Sequence, residues 1–220
     1  MKKLVIFGSG DIAQLAHFYF TTDSEYEVVA FTVDDAYRKE ERFCDLPVIA
    51  FEEITKHYPP ELFDLFVALS YSKLNAVRKE KYIAAKALGY RIASYISSHA
   101  TVLNEGRIGE NCFIFEDNTV QPYVTIGNNV TLWSGNHIGH HSTIKDHCFI
   151  ASHVVISGGV DIGEQCFIGV NATLRDHIKI GERCVIGAGT LLLSDAESDG
   201  VYIGTATERA KVASGRLRGI

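Results

Sequence analysis

The sequence predicts two joined architectures: an α/β N-terminal domain on a small parallel sheet, then a parallel β-helix. Three observations predict this. Aliphatic residues recur every six positions from Ile96 to Leu192 without a break. Cys148, Cys166 and Cys184 are spaced by 18, three times that period. A glycine loop, Gly8-Ser9-Gly10-Asp11-Ile12-Ala13, stands between an apolar run and a helical pattern.

The bulk numbers set the limits. With 220 residues the chain makes one large domain or two small ones. Apolar content of 46% and charged content of 22% are those of a folded globular protein. A net charge of −6 without a basic face argues against a nucleic-acid partner. No apolar run reaches the roughly 18 residues that span a bilayer, so no membrane partner is expected. The start, MKKLVIFGSGD, opens like a signal peptide but lacks its length and cleavage pattern, and the expected location is cytoplasmic.

The N-terminal elements follow in order. Residues 3–8 read as a buried strand, and AQLAHFYF (13–20) as a helix. EVVAFTV (27–33) reads as a second strand ending at Asp34 and Asp35. Strand, G-x-G-x-x-A turn, helix, strand and acidic end make a Rossmann-like nucleotide-binding unit; the bland alternative is a turn that only joins strand to helix. DLFVALS (64–70) reads as a third strand, opening onto Ser70, Tyr71, Ser72 and Lys73, where ligands of open α/β sheets collect. The helix NAVRKEKYIAAKALG (75–89) closes on Gly89 as its C′ residue. RIASYI (91–96) leads into the repeat. The expected division is residues 1–95 and 96–220, and the first piece has room for only one mononucleotide half.

The repeat takes Ile, Val or Leu at all 17 steps from Ile96 to Leu192. Gly often follows, as at Gly109, Gly127, Gly139, Gly163, Gly169, Gly181 and Gly187. A helix has period 3.6 and a flat strand period 2, so neither accounts for it. Three hexads make one triangular coil of about 18 residues, and residues 18 apart stack at the inter-strand spacing of roughly 4.8 Å. No coil buries its own aliphatics, whereas stacked coils bury a continuous column. The cysteine spacing then reads as one small inward slot on successive coils, shared by Cys112, with metal ligation or disulfides as the alternative.

The unbroken [LIV]-G-x-x-[small]-x pattern resembles the left-handed parallel β-helix of the hexapeptide-repeat acyltransferases. Together with the glycine-loop domain, the whole chain resembles the bacterial sugar acyltransferases that modify nucleotide-linked amino sugars, and the related sialic acid O-acetyltransferases. The resemblance implies a homotrimer with active sites between subunits and acetyl-CoA as co-substrate, serving surface polysaccharide synthesis such as O-antigen and lipopolysaccharide. It implies that Gly8, Ser9, Gly10 and Asp11 line the phosphate or base pocket. Asp34 and Asp35 would accept from base or ribose, and Ser70, Tyr71 and Lys73 would sit at the third strand end. The family turn is often G-x-x-G-H, whereas this chain has G-x-G-D.

Four of the nine histidines crowd into LWSGNHIGHHSTIKDHC (132–148). His141, His147, His153 and His177 are fourth in their hexads, at corners expected to face outward. Their dispersal over several faces argues against a metal site. His140 is third in its hexad, the phase of the family's catalytic histidine, and the resemblance makes it the general base. The family's following acid is replaced by His141, which leaves the orienting partner open and lets His141 share the proton role. Gly158, one coil on at 140 + 18, takes the family position of the oxyanion donor. The resemblance puts acyl-CoA contacts at Gly158, Val170 and Ala188, with Phe149 where the family has a histidine near the thioester. Arg209, Lys211, Arg216 and Arg218 of the tail meet CoA phosphates or are a solvated end.

The expected activity is acetyl-CoA-dependent N-acetylation of a nucleotide-diphosphate-linked amino deoxy sugar, dTDP-4-amino-4,6-dideoxyhexose, by direct attack. The alternatives are O-acetylation of a sugar or sialic acid, and a non-catalytic nucleotide-binding scaffold.

Overall fold

The computed structural model describes residues 2–209 and 211–216. The N-terminal sheet has strands β1 (Lys2–Phe7), β2 (Tyr26–Val33), β3 (Arg42–Phe43), β4 (Leu46–Ala50) and β5 (Asp64–Val67), in the order β3-β4-β2-β1-β5. All pairings are parallel except the β3–β4 hairpin. Helices α1 (Asp11–Thr22), the single-turn α2 (Ile54–His57) and α3 (Ala76–Ala87) complete it. The chain switches direction between β1 and β5, and the glycine loop and the exit of β5 share that crevice.

The expected strands and helices form, with differences at their ends. The third strand stops at Val67, because the chain then curls into a turn with positive φ at Lys73, Leu74 and Asn75. Gly89 is the C′ residue at φ +88: its N–H donates to Lys86 O (2.9 Å) and that of Tyr90 to Ala85 O (3.3 Å), a Schellman closure. Strands β3 and β4 have no counterpart in the sequence reading. β4 is parallel-paired and buried by neighbours distant in sequence, which a local pattern does not show.

From Tyr95 to Tyr202 the chain is a left-handed β-helix of two-residue strands on three parallel faces. The first face runs from Tyr95–Ile96 to Val201–Tyr202, the second from Thr101–Val102 to Leu191–Leu192, and the third from Thr125–Ile126 to Lys179–Ile180. Partners within a face are 18 residues apart, as in Ile114, Leu132, Ile150, Ile168 and Ile186. The last coil is shorter: Val185 pairs with Val201 and Ile180 with Ala196, a step of 16. From Ile114 to Ile186 the stepped aliphatics are buried, but Ile96 is exposed, because no coil lies beneath it. The four slot cysteines are free and fully buried. Each thiol donates to a carbonyl of the neighbouring coil, as Cys148 does to Gly163 O (3.1 Å) and Cys166 to Gly181 O (3.1 Å). Burial pushes the Cys112 thiol up to about 12.

The corners have a second period. Fifteen successive fourth positions, from Glu105 to Gly189 in steps of six, have positive φ. L-residues pay for that conformation in Cβ–carbonyl crowding, which glycine avoids and Asn, Asp and His tolerate best. The occupants include Asn111, Asp117, Asn129, Gly135, His141, His147, His153, Gly159, Asn171, His177 and Gly189. At Asn171, whose side chain makes no hydrogen bond among the described residues, replacement by valine is expected to lower stability by about 1–2 kcal/mol and replacement by glycine to change it by a few tenths. Urea unfolding of Asn171→Val beside Asn171→Gly checks this, and equal midpoints would remove the backbone explanation.

Candidate active site

His140 and His141 sit at the corner between the second and third faces, after strand His137–Ile138. Gly139 makes this corner possible: a Cβ there would lie 2.5 Å from the Ser157 carbonyl carbon on the next coil. The His140 N–H donates to Gln121 Oε1 (2.8 Å), and its Nδ1 lies 3.0 Å from His141 Nδ1. The two rings are perpendicular, at 86°. The His141 ring packs on Tyr123, one coil below, with centroids 4.7 Å apart. Both histidines are exposed in the single chain.

Gly158 is where the 18-residue step puts it. A Cβ on Gly158 would lie 2.6 Å from His140 Cε1 and 2.8 Å from Nε2, so the imidazole rests on bare backbone. The neighbouring amides are engaged: Gly159 N–H donates to His140 O (2.8 Å) and His177 N–H to Gly158 O (3.0 Å). Among the described residues the Gly158 N–H has no acceptor. The corner thus holds an imidazole with a free edge and an unspent backbone donor beside it. That pair suits proton removal next to a developing oxyanion.

The remaining histidines scatter. His137 is half-buried on the second face, while His153 lies over Gly135 and His177 over Gly159, each one coil on. Among the described residues no three His, Cys, Asp or Glu side chains converge to hold a metal. Val170 and Ala188 stack on each other's coils, with Gly189 N–H donating to Val170 O (2.8 Å), at the corner between the first and second faces. That is a different corner from His140 and Gly158. Phe149 is buried on the first face, where Tyr71 packs against it and Phe167 (5.0 and 4.9 Å), and the Arg78 guanidinium lies over its ring (5.6 Å). Arg209, Lys211 and Arg216 are exposed, and Arg218 lies outside the described residues.

On the N-terminal side the structure gathers several expected residues at the carboxyl ends of β1 and β2. A cleft of about 380 Å³ is lined by Ser9, Gly10, Val33, Tyr37, Arg38 and Lys39, among others. Gly8 has φ +128, and a Cβ there would lie 2.7 Å from Ala68 O, so the turn requires glycine. Gly10 is the N-cap of α1 and the exposed Asp11 its first residue. Asp34 is held by Lys81 of α3 (2.9 Å), and Asp35 pairs with Arg38 (3.3 Å). Ser70 and Ser72 are linked at 3.3 Å, and Lys73 is exposed. Sequence reading missed Tyr37, Arg38, Lys39 and Lys81; an Arg-Lys pair just after the acidic strand end was the one local signal available.

Residues 123–158 and 159–194 each match the family Bacterial transferase hexapeptide (six repeats). No curated protein matches the chain. Among solved structures, the acetyltransferase domain of PglB from Neisseria gonorrhoeae is similar at 23% identity, with 93% of this chain and 97% of that one covered and a TM-score of 0.82. A mutant perosamine N-acetyltransferase from Caulobacter crescentus, in complex with CoA and GDP-perosamine, is similar at 22% identity, with 93% and 94% covered and a TM-score of 0.82. WeeI from Acinetobacter baumannii is similar at 18% identity, with 93% and 97% covered and a TM-score of 0.77. At these identities the likeness shows a shared fold. Among the described residues no helix is long and apolar enough to cross a membrane.

His147 departs from the outward position expected of a fourth residue. It is buried, because α3 covers its corner and Tyr82 packs edge-on against its ring (5.8 Å). Asn111 Nδ2 donates to Asn129 Oδ1 (2.8 Å), and Asn129 Nδ2 in turn to His147 Nδ1 (3.0 Å). A proton on Nδ1 would destroy that acceptor. Burial, followed by the nearby Lys79 charge, lowers the His147 pKa to about 4. The unfolded chain therefore binds a proton between about pH 6.5 and 4 that the folded chain refuses, and stability falls as pH drops through that window. The expected loss is on the order of 2–3 kcal/mol, largely absent in His147→Asn, which keeps the corner conformation. Urea unfolding across that range checks it, and parallel pH curves for both proteins would count against the linkage.

Proposed function

We propose that the chain is an acyltransferase that moves the acetyl group of acetyl-CoA onto the amino group of a nucleotide-diphosphate-linked amino deoxy sugar. The sugar class is a 4-amino-4,6-dideoxyhexose, with dTDP as the nucleotide. The observation that carries the reading is the His140 ring resting on Gly158 beside an amide that has no acceptor among the described residues. The hexapeptide match and the CoA and GDP-perosamine held by the Caulobacter structure support it.

In this reading the sugar amine attacks the thioester carbonyl carbon. His140 Nε2 takes the proton that the amine sheds, and Gly158 N–H donates to the oxyanion. The tetrahedral adduct collapses, the C–S bond breaks, and the proton passes to the CoA thiolate. Transfer is direct: the slot thiols are buried inside the coils, and Ser142 Oγ is occupied with Ser157 O (3.0 Å). Asp34, steadied by Lys81, is the anchor for base or ribose. Arg38 and Lys39 line the cleft beside Ser9 and Gly10, with Glu40 as the one acid in the lining, and supply charge suited to a diphosphate. The acyl-CoA contacts at Val170 and Ala188 lie at another corner than His140, which favours a homotrimer in which neighbouring copies complete each site. A nucleotide-sugar substrate is in keeping with a cytoplasmic reaction.

The test is CoA release from acetyl-CoA with dTDP-, UDP- and GDP-linked 3- and 4-amino sugars. His140→Ala is expected to lower kcat by about 10²–10⁴-fold. Gly158→Ala, whose methyl group displaces the imidazole, is expected to lose at least ~10²-fold. Turnover restricted to sugar hydroxyl acceptors would transfer the reading to O-acetylation, which asks more of the base. Full activity in His140→Ala would end it.

A further inference from the structure

We propose that His141 is a positioning residue, the neutral acceptor that fixes His140 in the one tautomer able to take a proton. The inference rests on the reading of His140 as the base and concerns what holds that base. It starts from the 3.0 Å approach of two like atoms, His140 Nδ1 and His141 Nδ1. Two lone pairs repel at that distance, and so do two N–H groups. One nitrogen must carry the hydrogen and the other must accept it.

The two arrangements differ in consequence. If His141 donates, His140 accepts at Nδ1 and carries its hydrogen on Nε2, the edge beside Gly158, where it cannot remove a proton. If His140 donates, its Nε2 keeps a lone pair toward the reacting amine, and His141 is neutral with its hydrogen on Nε2. Only the second arrangement is active. It also improves as the reaction proceeds, because imidazolium is a stronger donor than imidazole and His141 goes on accepting from it. His141 does not take the proton. The base receives it at Nε2 and surrenders it at Nε2 to the departing sulfur, while the hydrogen between the two Nδ1 atoms stays on His140.

The surroundings are built for this use of His141. Its ring is held against Tyr123, and the His140 main chain is tied to Gln121 one coil below. The Tyr123 phenol ring lies against the pair, and among the described residues no carboxylate or cation hydrogen-bonds to either ring. A neutral partner stabilises the imidazolium less than a carboxylate does, so it yields a base that sheds its proton more readily to the thiolate.

The corner conformation supplies clean variants. His141 has φ +60, and the next coil carries Gly159 in the same column at φ +69. Gly, Asn and Asp therefore fit at 141 without backbone strain. His141→Gly removes the acceptor, and kcat is expected to fall about 10–100-fold while both KM values stay within about threefold. His141→Asn restores an acceptor and most of the rate. His141→Asp puts a carboxylate beside the base, and the acid limb of kcat/KM is expected at higher pH. A His141→Gly enzyme with wild-type kcat and an unmoved acid limb overturns the proposal. His140→Ala in the same assay separates the two levels: activity that survives there removes the base itself, whereas a dead His140→Ala beside an unaffected His141→Gly removes only the partner. A second measurement needs no substrate. With 15N-labelled histidine at about pH 8, the His140 hydrogen is expected on Nδ1 and the His141 hydrogen on Nε2. The reverse assignment overturns the proposal.

Discussion

Each coil of the β-helix advances by 18 residues, and the backbone hydrogen bonds between coils permit no other number along most of the stack. Thr131 N–H reaches Cys148 O, Phe149 N–H reaches Cys166 O and Phe167 N–H reaches Cys184 O, each 17 residues on. A deletion inside one hexad would slide every later aliphatic out of its column and every corner out of its left-handed residue. Because the count is kept, a residue's neighbours above and below follow from arithmetic. That is why His140 meets Gly158, Asn129 meets His147, and Cys148 lies between Val130 and Cys166. The step is relaxed to 16 only at the last coil, after the final column aliphatics.

The same regularity decided what could be read from the sequence. Six-residue spacing is a local property, so the three faces, the inward cysteines and the pairing of His140 with Gly158 are legible in the sequence itself. What stayed hidden depends on which surface covers the prism. His147 and His141 hold equivalent hexad positions and identical backbone signs, yet one is buried beneath α3 and the other exposed. Nothing in the hexad distinguishes them. Lys81 reaches Asp34 across 47 residues of chain, since 81 − 34 = 47, and β4 finds β2 through packing rather than pattern. Contacts of that kind carry no periodicity.

The seam between sheet and prism shows what the covering helix does. Arg78 is fully buried and among the described residues pairs with no carboxylate; it donates to Thr131 Oγ1, Asn75 Oδ1, His147 O and Cys148 O instead. Asn75 Nδ2 donates to Cys166 O (3.1 Å), and Gln165 Nε2 to Leu74 O (3.0 Å). These bonds pin the three consecutive positive-φ residues Lys73, Leu74 and Asn75, a conformation that persists only when its surroundings over-determine it. A cation buried among carbonyls forgoes the energy of an ion pair, but it ties one helix to two coils through a planar set of donors. The loop carrying Ser70, Tyr71 and Lys73 is thereby registered to the coils.

Two independent demands explain the crowding of histidines. The fourth position of each hexad adopts positive φ, which histidine tolerates better than most long side chains, although Glu105, Tyr123, Gln165 and Arg183 also stand at such positions. His141, His147, His153 and His177 all satisfy that backbone demand, whatever their rings do. His140 does not: it is third in its hexad, outside the positive-φ set, so no corner requirement accounts for an imidazole there. The residue without a structural reason is the one that rests on bare glycine beside an unspent amide. A residue chosen by the backbone, His141, comes to lie next to one that the backbone does not require, and the meeting of their Nδ1 atoms follows from hexad phase alone. In the proposed reading the corner also limits what can stand beside the base, since Gly, Asn, Asp and His are the residues that the left-handed turn accepts at least cost.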